Sequence, residues 1–183
     1  MGFSAKVSTT TATYENLLDA IAAKGLSIHT AKAGVTIAAD DSFSVQIISP
    51  KLDDYTDIND WSAIIRYNTA SKNVLFTGDA GKDVIHDANP GKVDVLKVSH
   101  HGSRTGTDEA LVTELSPAYA VISCGFNNSY GHPHEEVLDV LNGTQLYRTD
   151  LQGTIDMTID ANGISIASSK NNELDTHKLL LAA

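Results

Sequence analysis

Apolar residues at Tyr14, Leu17, Leu18 and Ile21 recur at the three- and four-residue spacing of one helical face, and Gly25 follows where a left-handed residue would close the helix. The period then changes to two. Phe43, Val45 and Ile47 alternate with Ser44 and Gln46 until Pro50 ends the run, which predicts a strand with one wet face. An acidic loop through Asp53, Asp54, Asp57 and Asp60 leads to two β-rich runs, residues 63–67 and 74–77, joined by a short polar turn and read as a hairpin. Strand and helix then alternate: strands at 93–98 and 119–123, a helix at 108–115 stopped by Pro117, and a helix at 135–141 closed by Gly143. That order predicts a layered α/β domain. Residues 154–160 alternate strictly, with Ile155, Met157 and Ile159 on one face; Asn162-Gly163 signals a tight hairpin turn, and Ile164 and Ile166 supply the partner strand. From Lys170 the pattern lapses, and Leu179 to Leu181 ends the chain as a docking helix or a loose tail. The reading divides the chain into one domain over residues 1–169 and a C-terminal tail over 170–183.

Size and charge narrow the function. The 183 residues suffice for one ordinary domain, and 42% hydrophobic residues can fill its core. Lys and Arg number 13 against 23 Asp and Glu, a net charge of −10 that repels phosphate backbones at long range and argues against tight, non-specific duplex binding. Cys124, the single cysteine, can make neither an internal disulfide nor a thiolate cage for zinc. No apolar stretch approaches the ~20 residues needed to cross a bilayer, so the chain carries no membrane segment of its own.

Chemistry concentrates at three predicted strand ends. Four of the seven histidines fall in two tight groups, His100-His101 after the strand at 93–98 and His132-Pro133-His134 in the loop beyond the strand at 119–123. Asp79 stands just past the strand at 74–77. In layered α/β sheets, loops at the carboxyl ends of strands aim side chains into one cleft. Imidazoles with a carboxylate suit a divalent metal, with zinc the default and manganese or iron the alternatives. Gly78, Gly102, Gly125 and Gly131 flank these residues, where the backbone turns sharply. Taken singly, a strand-end Asp is a turn residue and a loop His a surface residue; their clustering is what points to a site.

Competing motifs fail on their details. Gly81-Lys82 follows a strand like a phosphate-binding loop, but Phe76 stands where that loop needs glycine and Asp83 where it needs a hydroxyl. In the stretch from Gly102 to Gly106 the serine is off centre for a nucleophile elbow. Asn127-Asn128-Ser129 and Asn142-Gly143-Thr144 are glycosylation sequons, relevant only in a secretory pathway. Cys124 reads as a small core residue rather than a nucleophile. His29, His86 and His177 stand apart from both groups and read as surface or locally hydrogen-bonded residues.

Four strings together resemble one family: Thr77-Gly78-Asp79-Ala80; Val95-Leu96-Lys97-Val98-Ser99-His100-His101-Gly102-Ser103; Gly131-His132-Pro133-His134; and Tyr147-Arg148-Thr149-Asp150 with Gly153. They are similar to metallo-β-lactamase-fold hydrolases of the competence-protein (ComEC) type, over about residues 14–166. That resemblance implies an αββα sandwich with a dinuclear metal site. It implies Asp79 as the carboxylate shared by two metals, His101 (or His100) and His132 as ligands or phosphate contacts, and His134 near the rim, so Asp79, His100, His101, His132 and His134 form the metal candidates. Asp79, His101 and His132 are the catalytic candidates. The family's upstream His-x-His-x-Asp-His motif is absent from the chain, and Trp61 stands where an asparagine is expected.

The expectation is therefore an incomplete αββα metallo-β-lactamase-like sandwich, the C-terminal part of a metal-dependent hydrolase. Its reaction would be phosphodiester cleavage by a water activated between two cations about 3.5 to 4 Å apart. About half a coordination shell is present, so the isolated chain is expected to bind zinc weakly and to be inactive or nearly so. The substrate expected is a small-molecule or polymer phosphodiester, with nucleic acid allowed but disfavoured by charge. Self-association would cover the apolar surface that an incomplete sandwich exposes. An extracytoplasmic location follows from the resemblance alone. The alternative is a non-catalytic binding or scaffold module with a degenerate metal site.

Overall fold

A computed structural model describes residues 2–4 and 11–170. The elements in chain order are β1 (Gly2–Ser4), α1 (Ala12–Ala23), β2 (Ile28–Thr30), β3 (Thr36–Ala39), β4 (Phe43–Ser49), β5 (Ile64–Thr69), β6 (Asn73–Phe76), α2 (Lys82–Ala88), β7 (Val95–Lys97), α3 (Glu109–Leu115), β8 (Tyr119–Ile122), α4 (Glu135–Val140), β9 (Gln145–Arg148), α5 (Thr149–Gln152), β10 (Ile155–Asp160) and β11 (Gly163–Ser168). Short 3-10 turns lie at Ile58–Trp61 and Ser99–Gly102.

The centre is a seven-stranded mixed sheet in the order β3-β4-β5-β6-β7-β8-β9. Strands β3 to β6 run antiparallel as a meander, and β6 to β9 run parallel. Parallel neighbours need a crossover, and α2, α3 and α4 supply one each, so the carboxyl ends of β6, β7 and β8 fall on the same rim. Along these strands alternate side chains point to opposite faces. Leu75, Leu96, Ala120 and Ile122 take the face where Val84 and Ile85 of α2, Leu111 and Leu115 of α3 and Val137 of α4 meet them. Helices α2 and α3 have seven residues each, too short to persist alone, so this packing holds them in place.

On the opposite face, Ile155, Met157 and Ile159 of the β10–β11 hairpin look across at Tyr67, Val74, Phe76, Val95 and Val121, enclosing a cavity of about 280 Å3 beside Lys97. The fold is thus mixed α/β: one sheet, helices on one face and a hairpin on the other. The second large sheet of an αββα sandwich does not occur among the described residues.

The predicted elements form with shifts at their ends. The strand expected at 93–98 is three residues long, and the hairpin pairs in the register that puts Asn162-Gly163 at its tip. Helix α1 ends before Gly25 at φ 62°, yet buries none of its residues, and Leu17 is 55% exposed. Residues 179–181 lie outside the described residues.

His86 has partners the sequence does not suggest. Its Nδ1 lies 2.6 Å from Glu114 and its Nε2 3.8 Å from Asp108, linking α2 to α3. Asp108 caps α3, accepting from the Leu111 amide at 2.9 Å, and receives Lys82 Nζ at 3.1 Å. The Leu111 amide, helped by Lys82 and His86 against the opposing effect of burial, holds this carboxyl below the usual carboxylate range. Replacing Asp108 by Ala is expected to cost about 1 kcal/mol, and by Asn less, since Asn keeps an acceptor oxygen. Because the folded carboxyl titrates below the unfolded one, its charge-dependent contribution is present above about pH 4 and fades as the pH falls through the folded value. Denaturant unfolding of both variants at neutral and acidic pH checks this; an Ala variant as stable as the parent at neutral pH would contradict it.

Candidate functional site

Three strand-end loops interlock at the rim. After β6, Asp79 donates its backbone amide to Ser62 Oγ at 3.0 Å, and Gly81 donates its own to Asp60 Oδ1 at 2.9 Å. Gly78 has φ 58°, and a Cβ there would sit 2.8 Å from Ser62 Cβ, so the tight approach admits only glycine. The buried Ser99 donates to the carbonyl of Ala80 at 2.6 Å, and the His100 amide to that of Gly78 at 3.1 Å. The third loop docks through the His134 amide, which donates to Gly102 O at 3.0 Å. A Cβ on Gly102, at φ 85°, would strike Pro133 at 2.5 Å. His100 and His101 precede this glycine with φ 47° and 57°. Three successive left-handed residues are costly for non-glycine side chains, at about 1–3 kcal/mol each, and such strain gathers at functional sites.

The loops bring Asp79, His100, His101, His132 and His134 together. His101 Nε2 lies 3.5 Å from Asp79 Oδ1. The His100 ring is 6.2 Å from that of His101 and 5.8 Å from that of His132 between centroids. His132 lies nearly parallel to His101 at 6.4 Å and edge-on to His134 at 4.8 Å.

Hydrogen bonding assigns the ring protons. His101 Nδ1 is 2.7 Å from Ser123 O, an acceptor only, so Nδ1 carries the hydrogen. In the neutral ring, Nε2 therefore aims a lone pair toward the carboxylate oxygen of Asp79. Two lone pairs facing each other repel unless a proton or a cation lies between them. Zinc bonds of about 2.1 Å at a tetrahedral angle place two donors about 3.4 Å apart, close to the separation seen. An imidazole that gives its other N–H to a backbone carbonyl is also the usual arrangement of a metal-ligating histidine. These two donors fit one divalent ion. Among the described residues, however, no three His, Cys, Asp or Glu side chains are grouped closely enough to hold a metal.

The other histidines are placed differently. His134 Nδ1 accepts the Arg104 amide at 3.1 Å, so its Nε2 bears the hydrogen of the neutral ring and is a donor rather than a ligand. His132 is held through its backbone by Asn128, whose Oδ1 accepts from the His132 amide at 2.9 Å. Burial, followed by the neighbouring His134, His100 and His101, pushes the His132 pKa down against the pull of Asp79.

Two positive charges approach the rim. Lys97 Nζ donates to Gly78 O at 3.2 Å on the far side of the Asp79 loop, and burial lowers its pKa while Asp79 opposes that shift. Arg104 pairs with Glu136 at 3.2 Å in the open.

The Tyr147-to-Asp150 string serves structure. Arg148 and Asp150 form a two-pronged pair at 3.1 and 2.6 Å, and Thr149 Oγ1 both accepts from the Cys124 amide and donates to its carbonyl. Burial, with Asp150 adding to it, pushes the Cys124 thiol up to about 11, so it is protonated at neutral pH and no nucleophile. Sequence reasoning missed Asp60 and Ser62, which hold the Asp79 loop, because a polar residue in an acidic loop gives no sign of what it reaches.

No family model matches the chain. Curated proteins do. ComE operon protein 3 of Bacillus subtilis (strain 168) is 35% identical over 147 residues, 77% of this chain and 19% of that protein. Competence protein ComA of Neisseria gonorrhoeae is 30% identical over 131 residues, 68% of this chain and 19% of that protein. Recombination protein 2 of Haemophilus influenzae is 38% identical over 99 residues, 53% of this chain and 13% of that protein. A ComEC-type relation fits these matches. The chain spans about a fifth or less of the length of these relatives.

The lowered pKa of His132 predicts an NMR titration midpoint below the ~6.5 of a free imidazole in the metal-free chain. A group whose folded pKa is lowered in this way favours folding above the unfolded value and loses that contribution as the pH falls. A midpoint at or above that of a free imidazole would contradict the placement of His132 among the other rings.

Proposed function

We propose that this chain is part of a ComEC-type competence protein acting in DNA uptake, and that its rim hydrolyses a phosphodiester with the help of a divalent metal. The observation that carries the hydrolytic reading is the opposed pair of His101 Nε2 and Asp79 Oδ1, with the imidazole proton fixed on the other nitrogen. The DNA setting is part of the same proposal and is inferred from the words recombination and competence in two relatives' names. The incomplete sandwich belongs to the same proposal, with the helix-covered sheet as one half of it.

In this reading Asp79 and His101 would hold zinc, or manganese or iron, which would supply Lewis-acid activation of water for the attack. His132 lies beside His101 and binds a phosphate oxygen or takes up charge as the leaving group departs. His134, with its Nε2 hydrogen, donates to the same phosphate. Lys97 steadies the Asp79 loop from behind. A net charge of −10 does not bar a phosphate, because a bound dication reverses the field where the substrate sits. The charge does disfavour contact along a long duplex. Among the described residues no helix is long and apolar enough to cross a membrane. An extracytoplasmic rim is part of this proposal.

A second reading, a non-catalytic binding module, is favoured by one observation: the described residues offer no three-ligand group. Calorimetric zinc titration separates the two. The hydrolytic reading expects one weak site in the isolated chain, its affinity lowered about 10- to 100-fold or more by Asp79→Ala and by His101→Ala. His86→Ala, in the ion-pair cluster between α2 and α3, should leave it unchanged. Zinc binding that ignores Asp79 and His101, or that is absent, would favour the binding module.

A further inference from the structure

The rim carries an aromatic feature that hydrolysis does not require. Tyr130 is 78% exposed, an uncommon place for a large ring, and lies nearly parallel to His132 at 5.7 Å and 20°. Phe126, on the same loop, is 71% exposed. Beside Tyr130 a cavity of about 230 Å3 opens between His101, Cys124, Gly125, Asn128, Tyr130 and His132. It is smaller than the roughly 300–1,000 Å3 of pockets for drug-sized ligands, and so suits one flat group. The loop is braced for this. Asn128 Nδ2 donates to Gly125 O at 2.9 Å and to His132 O at 2.5 Å, while its Oδ1 takes the His132 amide. With its amide committed to the backbone, Asn128 does not read a base edge; the cavity offers ring faces instead.

We infer that the loop from Cys124 to His132 is a stacking subsite for one unpaired nucleobase, which seats the adjoining phosphate at the Asp79–His101 pair. The inference rests on the phosphodiester reading of that pair. A base inside a duplex already spends both faces on its neighbours, so the subsite selects single strands, frayed ends or gaps. Stacking accepts every base, because each has a π face. It also resolves a difficulty of charge: with a net −10 and Arg104 paired to Glu136, affinity for a strand has to come from ring contact more than from phosphate neutralisation. The salt dependence should accordingly be shallow, since Arg104 is paired to Glu136 and the half-buried Lys97 donates to Gly78 O.

Calorimetry with this chain tests the inference using two unlabelled probes of about ten nucleotides, oligothymidylate and an abasic deoxyribose-phosphate oligomer with as many phosphates. Oligothymidylate should bind about fivefold tighter or more. Tyr130→Ala should abolish that preference, Phe126→Ala should weaken it, and Tyr130→Phe should keep it; circular dichroism verifies that these surface variants fold. His86→Ala, in the ion-pair cluster between α2 and α3, should leave the preference intact. Equal binding of the two probes, binding of neither, or a preference that survives Tyr130→Ala would overturn the subsite. A base preference in a chain whose zinc binding ignores Asp79 and His101 would retain the subsite and discard the hydrolytic reading.

Discussion

The site depends on the hydrogen bond from His101 Nδ1 to the carbonyl of Ser123. It reaches from the loop after β7 to the end of β8, so its strength draws on two neighbouring parallel strands. By fixing the proton on Nδ1, it turns the other nitrogen into a bare lone-pair donor aimed at Asp79, on the loop after β6. A backbone carbonyl is a dependable anchor for this purpose, since it cannot rotate away or change its protonation state. The strained left-handed backbone at His100 and His101 is what allows the ring to make this contact.

Around that bond the rim is assembled by short backbone contacts more than by side-chain pairs. Ser62 and Asp60 grip the loop after β6, Ser99 and the His100 amide bind it to the next loop, and Gly102 receives the third loop without a Cβ in the way. Such contacts leave His101 Nε2 and the Asp79 carboxylate facing each other at the rim. The exposed Tyr130 adds a hydrophobic ring face to this polar edge. The exposed ring and the Asp79–His101 pair thereby lie on neighbouring parts of one rim, where parallel strands end together.

Much of this was legible in the sequence. The strand ends carrying Asp79, His100-His101 and His132-Pro133-His134 could be placed because short apolar, β-rich runs stop at recognisable loops, and parallel crossovers bring such ends to one edge. The hairpin at Asn162-Gly163 was legible because its turn has few conformational alternatives. Strands β3 and β9 and helix α2 were not. The four residues of β3, Thr36-Ile37-Ala38-Ala39, and of β9, Gln145-Leu146-Tyr147-Arg148, lack the continuous apolar run that marked β6 and β8, and α2 presents Val84, Ile85 and Ala88 in a span that burial stabilises and periodicity does not reveal. The amphipathic pattern of α1 was legible, yet it failed to forecast burial. The tautomers of His101 and His134 were illegible for a deeper reason: they are set by a carbonyl and an amide distant along the chain, contacts with no signature in residue type.

The relation to competence proteins gives this rim a setting, while its chemistry turns on where one proton resides. Nitrogen-15 NMR of the metal-free chain, at a pH where His101 is neutral, reads that directly. The account predicts hydrogen on Nδ1 and an unprotonated Nε2, and predicts that zinc perturbs Nε2 first. Hydrogen on Nε2 of the neutral ring would contradict it, since no lone pair would then face Asp79.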